Sequence, residues 1–197
     1  MFFEQQPNLL KIPARFSSST IDDIRDPHIK KEAISYCSNF NKFFKSGTGP
    51  AFFGVSGAGK TYAAAAIANY LSVVGDKTEN VNHNVPVFWA DATVELNRLM
   101  DLRDLRREGF FGFRDKLYRT PLLVLDDISS LRDFSRLTEL FFTIINERYA
   151  WKRPTIFTGN YVMDKAWSPL TQQFGPHVTR RIRLMSDGLA FDLDITK

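Results

Sequence analysis

One string of residues constrains the fold of this chain more than any other feature. It is Gly54-Val55-Ser56-Gly57-Ala58-Gly59-Lys60-Thr61, which satisfies the pattern G-x-x-x-x-G-K-[ST] completely. Glycines let the backbone curl tightly, so that successive N–H groups point inward and form a cradle for an anion. The string follows the apolar residues 51–53, which predict a buried strand, and opens an alanine-rich helix predicted over 60–74. A strand, a glycine loop and a helix in this order predict an α/β fold.

The anion that such a loop suits is a triphosphate. The helix after the loop offers its positive end to the phosphates, Lys60 places a point charge on the outer ones, and the Thr61 hydroxyl ligates Mg²⁺. We therefore expect ATP and Mg²⁺ as cofactors. The expected nucleotide-binding residues are Gly54, Ser56, Gly57, Ala58, Gly59, Lys60 and Thr61. A chance glycine-rich turn is the alternative, and the flanking strand and helix disfavour it.

Two carboxylates follow the apolar strand predicted at 122–125, namely Asp126 and Asp127. Because the carboxyl ends of parallel strands form the ligand crevice, both acids are expected to face the phosphate loop. We expect Asp126 to hold Mg²⁺, directly or through water, and Asp127 to orient and deprotonate the attacking water. The alternative is a helix cap or loop acid that happens to follow a strand.

An amide follows the next predicted strand, 155–158, in the pair Gly159-Asn160. At that strand end Asn160 can hydrogen-bond both the terminal phosphate and the attacking water, so we expect it to sense the phosphate. The alternative is an ordinary turn, because Gly-Asn pairs are common in turns.

The rest of the chain continues the alternation of strands and helices. Strands are predicted at 51–53, 85–90, 122–125, 155–158 and 189–193, and helices at 26–47, 60–74, 93–107, 134–151 and around 177–185. Together they predict a P-loop NTPase fold, a five-stranded parallel sheet with helices on both faces. We expect an irregular arm at 1–20, a short helical turn after Thr20, and an ATPase domain at 21–197 without a separate C-terminal lid domain.

Composition narrows the setting of the protein. The chain is 44% hydrophobic, which is enough for a sizeable core, and its one cysteine, Cys37, has no internal partner for a disulfide. The start of the chain lacks the basic and apolar regions of a signal peptide, and the most apolar stretch, 62–74, is too short to span a membrane. We therefore expect a cytoplasmic protein with no membrane partner.

A basic and aromatic segment follows the second predicted strand. Between Arg98 and Arg119 there are seven basic and four acidic residues, a surplus of +3 within a total net charge of +4. Basic side chains neutralise phosphates and exposed rings stack on unpaired bases, so the segment is a candidate contact for single-stranded DNA. The candidate residues are Arg103, Arg106, Arg107 and Phe110. Alternatively the rings belong to the core and the arginines pair with acids on a solvated helix face.

The three motifs, in this order and spacing, resemble those of the AAA+ ATPases. More narrowly, the chain is similar to the DnaC/IstB group, which comprises bacterial and phage helicase loaders and the helper ATPases of some transposases. The similarity extends from about Ile12 to the last predicted strand. It also rests on the strings Ile12-Pro13-Ala14-Arg15-Phe16, Asn146-Glu147-Arg148-Tyr149 and Arg153-Pro154-Thr155-Ile156-Phe157-Thr158.

This resemblance implies an ATPase that assembles side by side on DNA or on a helicase ring, with an arginine from the neighbouring subunit completing each active site. Alignment favours Arg181 for that role, with Arg180 and Arg183 as alternatives. The resemblance also implies an adenine pocket near the arm, around 12–21. Only some 50 residues precede the phosphate loop, so we expect no separate helicase-gripping domain. Many AAA+ enzymes have Glu at the position of Asp127, whereas the resembled group often has Asp.

Several functions are compatible with these motifs. The favoured hypothesis is an ATP-hydrolysing helicase loader or replication accessory protein that binds single-stranded DNA, with a replicative helicase as its partner. The alternatives are a helper ATPase of a transposase and a binding module that holds ATP as a switch with little turnover. A small-molecule kinase is disfavoured, because the chain shows no arginine-rich lid.

Overall fold

The five strands form a single parallel sheet. The computed structural model describes residues 12–73, 84–131, 135–162, 164 and 167–194. Its strands are β1 (Ala51–Gly54), β2 (Val87–Asp91), β3 (Leu122–Asp126), β4 (Thr155–Thr158) and β5 (Ala190–Leu193). They are ordered β2-β3-β4-β1-β5, and every neighbouring pair is parallel. The predicted five-stranded parallel sheet is therefore confirmed, and β1 lies between β4 and β5.

Helices cover both faces of this sheet, as predicted. They are α1 (Pro27–Ser38), α2 (Phe40–Ser46), α3 (Lys60–Val73), α4 (Ala92–Asp104), α5 (Phe110–Arg119), α6 (Ser135–Ala150) and α7 (Ser168–Met185). Alternate strand residues enter two separate hydrophobic clusters: Phe52 packs with α1 and α3, whereas Phe53 packs with α4 to α7. Both faces of the sheet are thus buried along β1 to β4, which explains why these strands are mostly apolar without alternation. The edge strand β5 differs, because it alternates between exposed and buried residues. No helix in the described ranges has the length and apolar character needed to cross a bilayer.

The helix predicted over 26–47 is in fact two helices. Asp26 caps α1 as expected, because its carboxylate accepts hydrogen bonds from the backbone N–H groups of His28 and Ile29. The chain leaves helical geometry at Asn39 (φ −118°, ψ 25°), whose side-chain amide donates to the Ser35 carbonyl at 2.9 Å. An asparagine side chain can compete with helix hydrogen bonds in this way, so the break has a local cause.

The predicted end of the helix over 93–107 is also wrong, and the helix that follows it, α5, was not predicted. α4 ends at Asp104, the chain turns through Arg106 (φ 48°) and Gly109 (φ 91°), and α5 begins at Phe110. Gly109 supplies the left-handed conformation at low steric cost. α5 buries Phe113 and Leu117, which lie one helical turn apart. Phe113 of the aromatic segment therefore belongs to the core, whereas Phe111 is exposed.

The last helix is longer than predicted. α7 begins at Ser168 and carries a kink at Gly175 (φ 76°, ψ 166°) immediately before Pro176. Proline disrupts the regular helical hydrogen bonds, and only the part after it shows clear helical spacing in the sequence. The predicted helix around 177–185 is therefore the second half of α7.

The described part of the N-terminal arm docks on α3. A short 3₁₀ turn spans Ala14–Phe16, and the side-chain amide of Asn69 donates to the carbonyl oxygens of Phe16 (3.1 Å) and Ser19 (3.0 Å). At the predicted helical turn, Thr20 and Asp23 exchange hydrogen bonds, but only an isolated turn forms. The boundary between arm and domain at residue 20 stays a prediction, and residues 1–11 of the arm lie outside the described residues.

A buried arginine, Arg148, contacts the chain at the amino ends of β3 and β4, opposite the strand ends that carry the motifs. Arg148 of α6 has no solvent exposure, and its guanidinium donates to Thr155 Oγ1 at 2.8 Å. It also donates to four backbone carbonyl oxygens, those of Leu117, Tyr118, Thr120 and Pro154. Burial lowers the pKa of Arg148 to about 9, which leaves it charged at neutral pH. The contacts link α6 to the residues that lead into β3 and β4.

We expect the substitution Arg148→Leu to destabilise the protein strongly. It would leave five acceptors, four of them buried, without this donor, which costs at least about 3 kcal/mol. A domain of this size loses roughly 2–4 °C of melting temperature per kcal/mol, so Tm should fall by about 6–12 °C in a thermal melt followed by circular dichroism. Arg119→Leu, on the exposed end of α5, is the matched control. A Tm for Arg148→Leu within about 2 °C of that control would contradict this role.

Candidate nucleotide-binding site

A large cavity lies at the carboxyl ends of the strands, and the predicted motifs line it. Its volume is about 1030 Å³, which is sufficient for a nucleotide. The motif residues in its lining are Ser56, Gly57, Ala58, Gly59, Lys60, Thr61, Asp126, Asp127 and Asn160. Residues from three separate stretches of sequence thus share one crevice, as expected for a parallel sheet.

Glycines are required in the loop for two different reasons. Gly54 (φ 124°), Gly57 (φ 82°) and Gly59 (φ 90°) adopt backbone conformations that other residues rarely adopt. At Gly54 there is also no space, because a Cβ atom would lie 1.9 Å from the carbonyl oxygen of Leu193 on β5. The loop therefore leaves β1 in close contact with β5 and directs its backbone into the cavity.

The Lys60 side chain lies across the loop. It is 7% exposed, and its Nζ atom donates to the Val55 carbonyl oxygen at 2.6 Å. Burial lowers the pKa of Lys60, whereas the nearby carboxylates of Asp127, Asp126 and Asp192 act in the opposite direction. This places a partly desolvated cation at the base of the cavity, where it is well situated for a phosphate group.

One carboxylate oxygen of Asp126 accepts hydrogen bonds from two hydroxyl groups. Thr61 Oγ1 donates to Asp126 Oδ1 at 3.1 Å, and Thr158 Oγ1 donates to the same atom at 2.6 Å. Burial raises the pKa of Asp126, and these two hydrogen bonds oppose that shift. The hydroxyl of Thr61 and the carboxylate of Asp126 are hard oxygen donors, which fit the known preference of Mg²⁺ for oxygen ligands and a small number of protein groups.

Asp127 adopts a left-handed conformation (φ 52°) that turns the chain sharply after β3. Its backbone N–H donates to Thr158 Oγ1 at 2.8 Å, so the Thr158 hydroxyl contacts both acids. The Oδ1 atom of Asp127 accepts hydrogen bonds from Ser129 Oγ and, at 3.4 Å, from Asn160 Nδ2. The structure thus brings the predicted base and the predicted sensor into contact.

Two polar residues of this region were not singled out from the sequence. Thr158 is buried within β4 and bridges the acids, and Ser129 lies in a 3₁₀ turn, Ile128–Leu131, behind Asp127. A polar residue at the carboxyl end of a buried strand was an available signal for Thr158. No comparable signal existed for Ser129, because its contacts depend on how the turn folds over β4.

The N-terminal arm forms the other side of the cavity. Arg15 and Phe16 lie in its lining, together with residues 23–26 and Ile29 at the start of α1. The arm was the expected location of an adenine pocket, and the structure brings it to the same crevice as the phosphate loop. Its role in adenine binding stays a prediction.

The predicted trans arginine lies outside this cavity. The guanidinium carbon of Arg181 lies 5.7 Å from the ring centre of Phe142 and 6.0 Å from that of Tyr149, both on α6. Its Nη1 atom donates to the His177 carbonyl oxygen at 3.1 Å, and the alternatives Arg180 and Arg183 are exposed. Arg181 is half-buried and does not line the cavity of its own chain, and its role toward a neighbouring subunit stays a prediction.

The candidate DNA-contact residues lie around the turn between α4 and α5. Arg106 and Arg107 are exposed, whereas Arg103 pairs with Asp104 at 3.1 Å. Phe110 is half-buried against the core. The neighbouring Phe111 is the exposed ring at 68%, and the Arg114 guanidinium lies 5.0 Å from its centre. The segment therefore combines core aromatics with exposed cations. The core alternative is confirmed for Phe113 and in part for Phe110, whereas the DNA contact stays a prediction.

The sheet order, the glycine loop after β1 and the acid pair after β3 define an ATPase domain of the AAA+ class. The family described as the bacterial DnaA ATPase domain matches residues 28–174 of the chain. The chain belongs to this family. The predicted resemblance to AAA+ ATPases of the DnaC-like helicase-loader group is confirmed, whereas the match to the replication initiator DnaA was not predicted.

Two proteins of this class are similar to the chain in sequence. The chromosomal replication initiator protein DnaA of Borreliella burgdorferi is 27% identical over 119 residues, which are 60% of this chain and 22% of that protein. The replicative helicase loader DnaI of Bacillus subtilis is 28% identical over 148 residues, which are 73% of this chain and 43% of that protein. The chain spans less than half the length of these relatives.

Solved structures share the fold. A crystal structure of the DnaC helicase loader superposes with a TM-score of 0.75 at 24% identity, covering 92% of this chain and all of that one. A crystal structure of DnaI gives a TM-score of 0.71 at 21% identity, with 96% and 100% coverage. A structure of the replication initiator DnaA bound to AMPPCP and single-stranded DNA gives 0.68 at 16% identity, with 94% and 52% coverage.

The half-buried Asp126 carboxylate leads to a prediction about stability. Its pKa is raised in the folded chain, so ionised Asp126 weakens folding at pH 7, and this cost shrinks as the pH falls through the raised pKa toward the unfolded value of about 3.9. Without nucleotide, Asp126→Asn should therefore have an equal or higher Tm at pH 7, by up to about 3 °C on the scale for a domain of this size, and the difference should be smaller at pH 4.5.

The same variant should lose the stabilisation that ligand binding provides. At about 100 times the dissociation constant a ligand contributes roughly 2.7 kcal/mol, so Mg²⁺-ATP should raise the Tm of the unsubstituted chain by several degrees. We expect little or no rise for Asp126→Asn. Asp187→Asn, an exposed acid after α7, is the control. A lower Tm for Asp126→Asn without nucleotide, together with a normal rise on adding it, would contradict the assignment.

Proposed function

We propose that this chain binds ATP with Mg²⁺ and hydrolyses it, and that it uses this cycle to load or assist a replicative helicase. The single observation that carries the proposal is the cavity in which the phosphate loop, Asp126, Asp127 and Asn160 converge. Membership in an ATPase-domain family supports nucleotide binding, and the similarity to a replicative helicase loader supports the process.

The triphosphate would lie along the loop and the start of α3. The backbone N–H groups of 56–61 and the positive end of α3 attract the phosphate oxygens, and Lys60 exchanges its bond to the Val55 carbonyl for one to the phosphates. Thr61 and Asp126 would hold Mg²⁺, which when bound neutralises charge on the phosphate oxygens. Thr158 keeps the Asp126 carboxylate oriented toward Thr61.

Hydrolysis requires a water molecule in line with the terminal phosphate. Asp127 accepts a proton from this water as the water oxygen bonds to the γ-phosphorus. The bond from the γ-phosphorus to the β–γ bridging oxygen breaks, and ADP leaves with the bonding electrons while inorganic phosphate forms. Asn160 lies beside Asp127 and donates through its amide to the phosphate or to the water.

Arg181 of a neighbouring subunit would complete the site. It lies outside the cavity of its own chain, and an arginine that stabilises the transition state from a partner contributes roughly 10³- to 10⁵-fold in turnover. Its position over Phe142 and Tyr149 holds the cation at the surface of α6 and α7. Self-association through this surface would then link hydrolysis to assembly on a helicase or on DNA.

Complementation between two inactive variants tests the trans arrangement. Lys60→Ala should lose nucleotide binding but keep Arg181, and Arg181→Ala should bind ATP but turn it over at least 100-fold more slowly. Mixed in equal amounts, they should recover a measurable part of the steady-state ATPase rate. Arg180→Ala and Arg183→Ala serve as matched controls. A normal rate for Arg181→Ala alone, or no recovery in the mixture, would exclude Arg181 as the trans residue.

The partner can be identified with an ATP-locked form of the protein. Asp127→Asn should bind ATP without hydrolysing it and should form a complex with the purified replicative helicase of the same host cell during size-exclusion chromatography in ATP. Lys60→Ala is the control that should form none. Complex formation with a purified transposase instead of the helicase would favour the helper-ATPase alternative.

We also propose that the turn between α4 and α5 contacts single-stranded DNA. Arg106, Arg107 and Phe111 are exposed there, and the solved DnaA structure similar to this fold is bound to single-stranded DNA. Cations and an exposed ring in one place suit the phosphates and bases of an unpaired strand.

Changing Arg106 and Arg107 to Ala together should weaken the affinity for an oligonucleotide, measured by fluorescence anisotropy. Each lost phosphate contact removes roughly 0.7 from the slope of log affinity against log salt, so the slope should fall by about 1.4. The double variant Lys42→Ala, Lys45→Ala on α2 removes the same charge from another exposed surface. Equal losses of oligonucleotide affinity in both double variants would mean that only net charge matters, and would contradict a specific contact at this turn.

A further inference from the structure

Ser129 connects two residues of the proposed hydrolytic site without lining the cavity itself. It is 7% exposed and lies in the 3₁₀ turn Ile128–Leu131, immediately after the acid pair. Its hydroxyl contacts Asp127 Oδ1, and the backbone N–H of Asn160 donates to the same hydroxyl oxygen at 3.0 Å. The side chain therefore lies between the proposed base and the proposed sensor, and it is not part of the cavity lining.

The direction of these hydrogen bonds follows from the number of protons available. The N–H of Asn160 has only a proton to give, so the Ser129 oxygen accepts there. A carboxylate only accepts, so the single hydroxyl proton of Ser129 goes to Asp127 Oδ1. The hydroxyl thus donates its single proton and accepts one hydrogen bond, in a buried position where a hydrogen bond to an ionised group is stronger than one between neutral groups.

The two oxygens of the Asp127 carboxylate are consequently different. Oδ1 accepts from Ser129 and, at 3.4 Å, from the Asn160 side-chain amide. Within the described residues no donor contacts Oδ2 of Asp127. The oxygen that remains for a proton from water is therefore Oδ2, and the Ser129 hydroxyl determines which oxygen that is.

Ser129 is itself held in place from α7. Gln173 donates from Nε2 to the Ile128 carbonyl oxygen at 3.3 Å and accepts from the Tyr161 hydroxyl at 2.6 Å. The 3₁₀ turn is thereby connected to the residues that follow β4. Its orientation does not depend on Ser129 alone, so removing one hydroxyl should leave the turn folded.

We propose that Ser129 is a positioning residue for ATP hydrolysis. By engaging Oδ1 of Asp127 it directs Oδ2 toward the attacking water, and through the Asn160 backbone it fixes the distance between base and sensor. This inference rests on the proposed hydrolytic function, because it assigns a task within that reaction. Ser129 touches neither the nucleotide nor the water.

The test compares two adjacent serines of the same turn. Ser129→Ala removes the hydroxyl that contacts the carboxylate, whereas Ser130→Ala removes one that donates to the Asp127 backbone carbonyl at 2.7 Å and contacts Thr93. For Ser129→Ala we expect kcat to fall by about 10- to 100-fold, the range for a lost hydrogen bond to a charged group. KM and the affinity for Mg²⁺-ADP should change by less than about threefold. Ser130→Ala should lower kcat by less than about threefold.

A transition-state mimic adds a measurement that does not depend on turnover. Ser129→Ala should bind Mg²⁺-ADP with aluminium fluoride at least about tenfold more weakly than the unsubstituted chain, with unchanged affinity for Mg²⁺-ADP alone. Such a difference indicates an interaction made in the transition state, which a contribution to folding alone would not produce. Tm values within about 3 °C of each other for both serine variants would show that both are folded.

Each result has a defined consequence. If the unsubstituted chain hydrolyses ATP at a rate that Asp127→Asn abolishes, the proposed function stands, and Ser129 is then judged separately. Equal kcat values for Ser129→Ala and the unsubstituted chain would overturn the positioning role, and so would equal losses in Ser129→Ala and Ser130→Ala. A chain that does not hydrolyse ATP more than Asp127→Asn does would instead overturn the proposed function.

Discussion

The Oδ1 atom of Asp126 is the point on which the candidate site depends. It accepts from Thr61 at the start of α3 and from Thr158 at the end of β4, and it belongs itself to the end of β3. The strand order permits this, because β4 lies between β1, which leads into the glycine loop, and β3, which ends in the acid pair. A different strand order would separate the phosphate loop from the acids, even with every motif intact.

The amino ends of β3 and β4 are held by a different interaction, the hydrogen bonds of Arg148. Arg148 carries a buried charge and donates to backbone carbonyl oxygens and the Thr155 hydroxyl, with no carboxylate among its hydrogen-bond partners in the described part of the chain. Those contacts hold the chain just before β3 and β4, so the two strands enter the sheet in register. Because the amino ends of these short strands are held, the positions of Asp126 and Thr158 at their carboxyl ends are held as well.

The site also shows opposing demands of folding and chemistry. Burial raises the pKa of Asp126 and lowers that of Lys60, which means that the folded chain desolvates both charges before any ligand neutralises them. Partially desolvated charges of opposite sign close to each other are well suited to a metal–triphosphate complex, which supplies both missing partners. The apolar clusters on the two faces of the sheet provide the stability that this arrangement requires.

Much of this protein follows from its sequence alone. The glycine loop, the five strands and the acid pair were correctly located, because phosphate binding and burial restrict the residue types at fixed, local positions. Helix ends were less predictable: the break at Asn39 and the turn before α5 depend on individual side chains and on a few backbone angles. Only the tertiary structure decided that Thr158 bridges the acids and that Ser129 contacts Asp127, since those distances depend on neighbouring strands that are far apart in the chain.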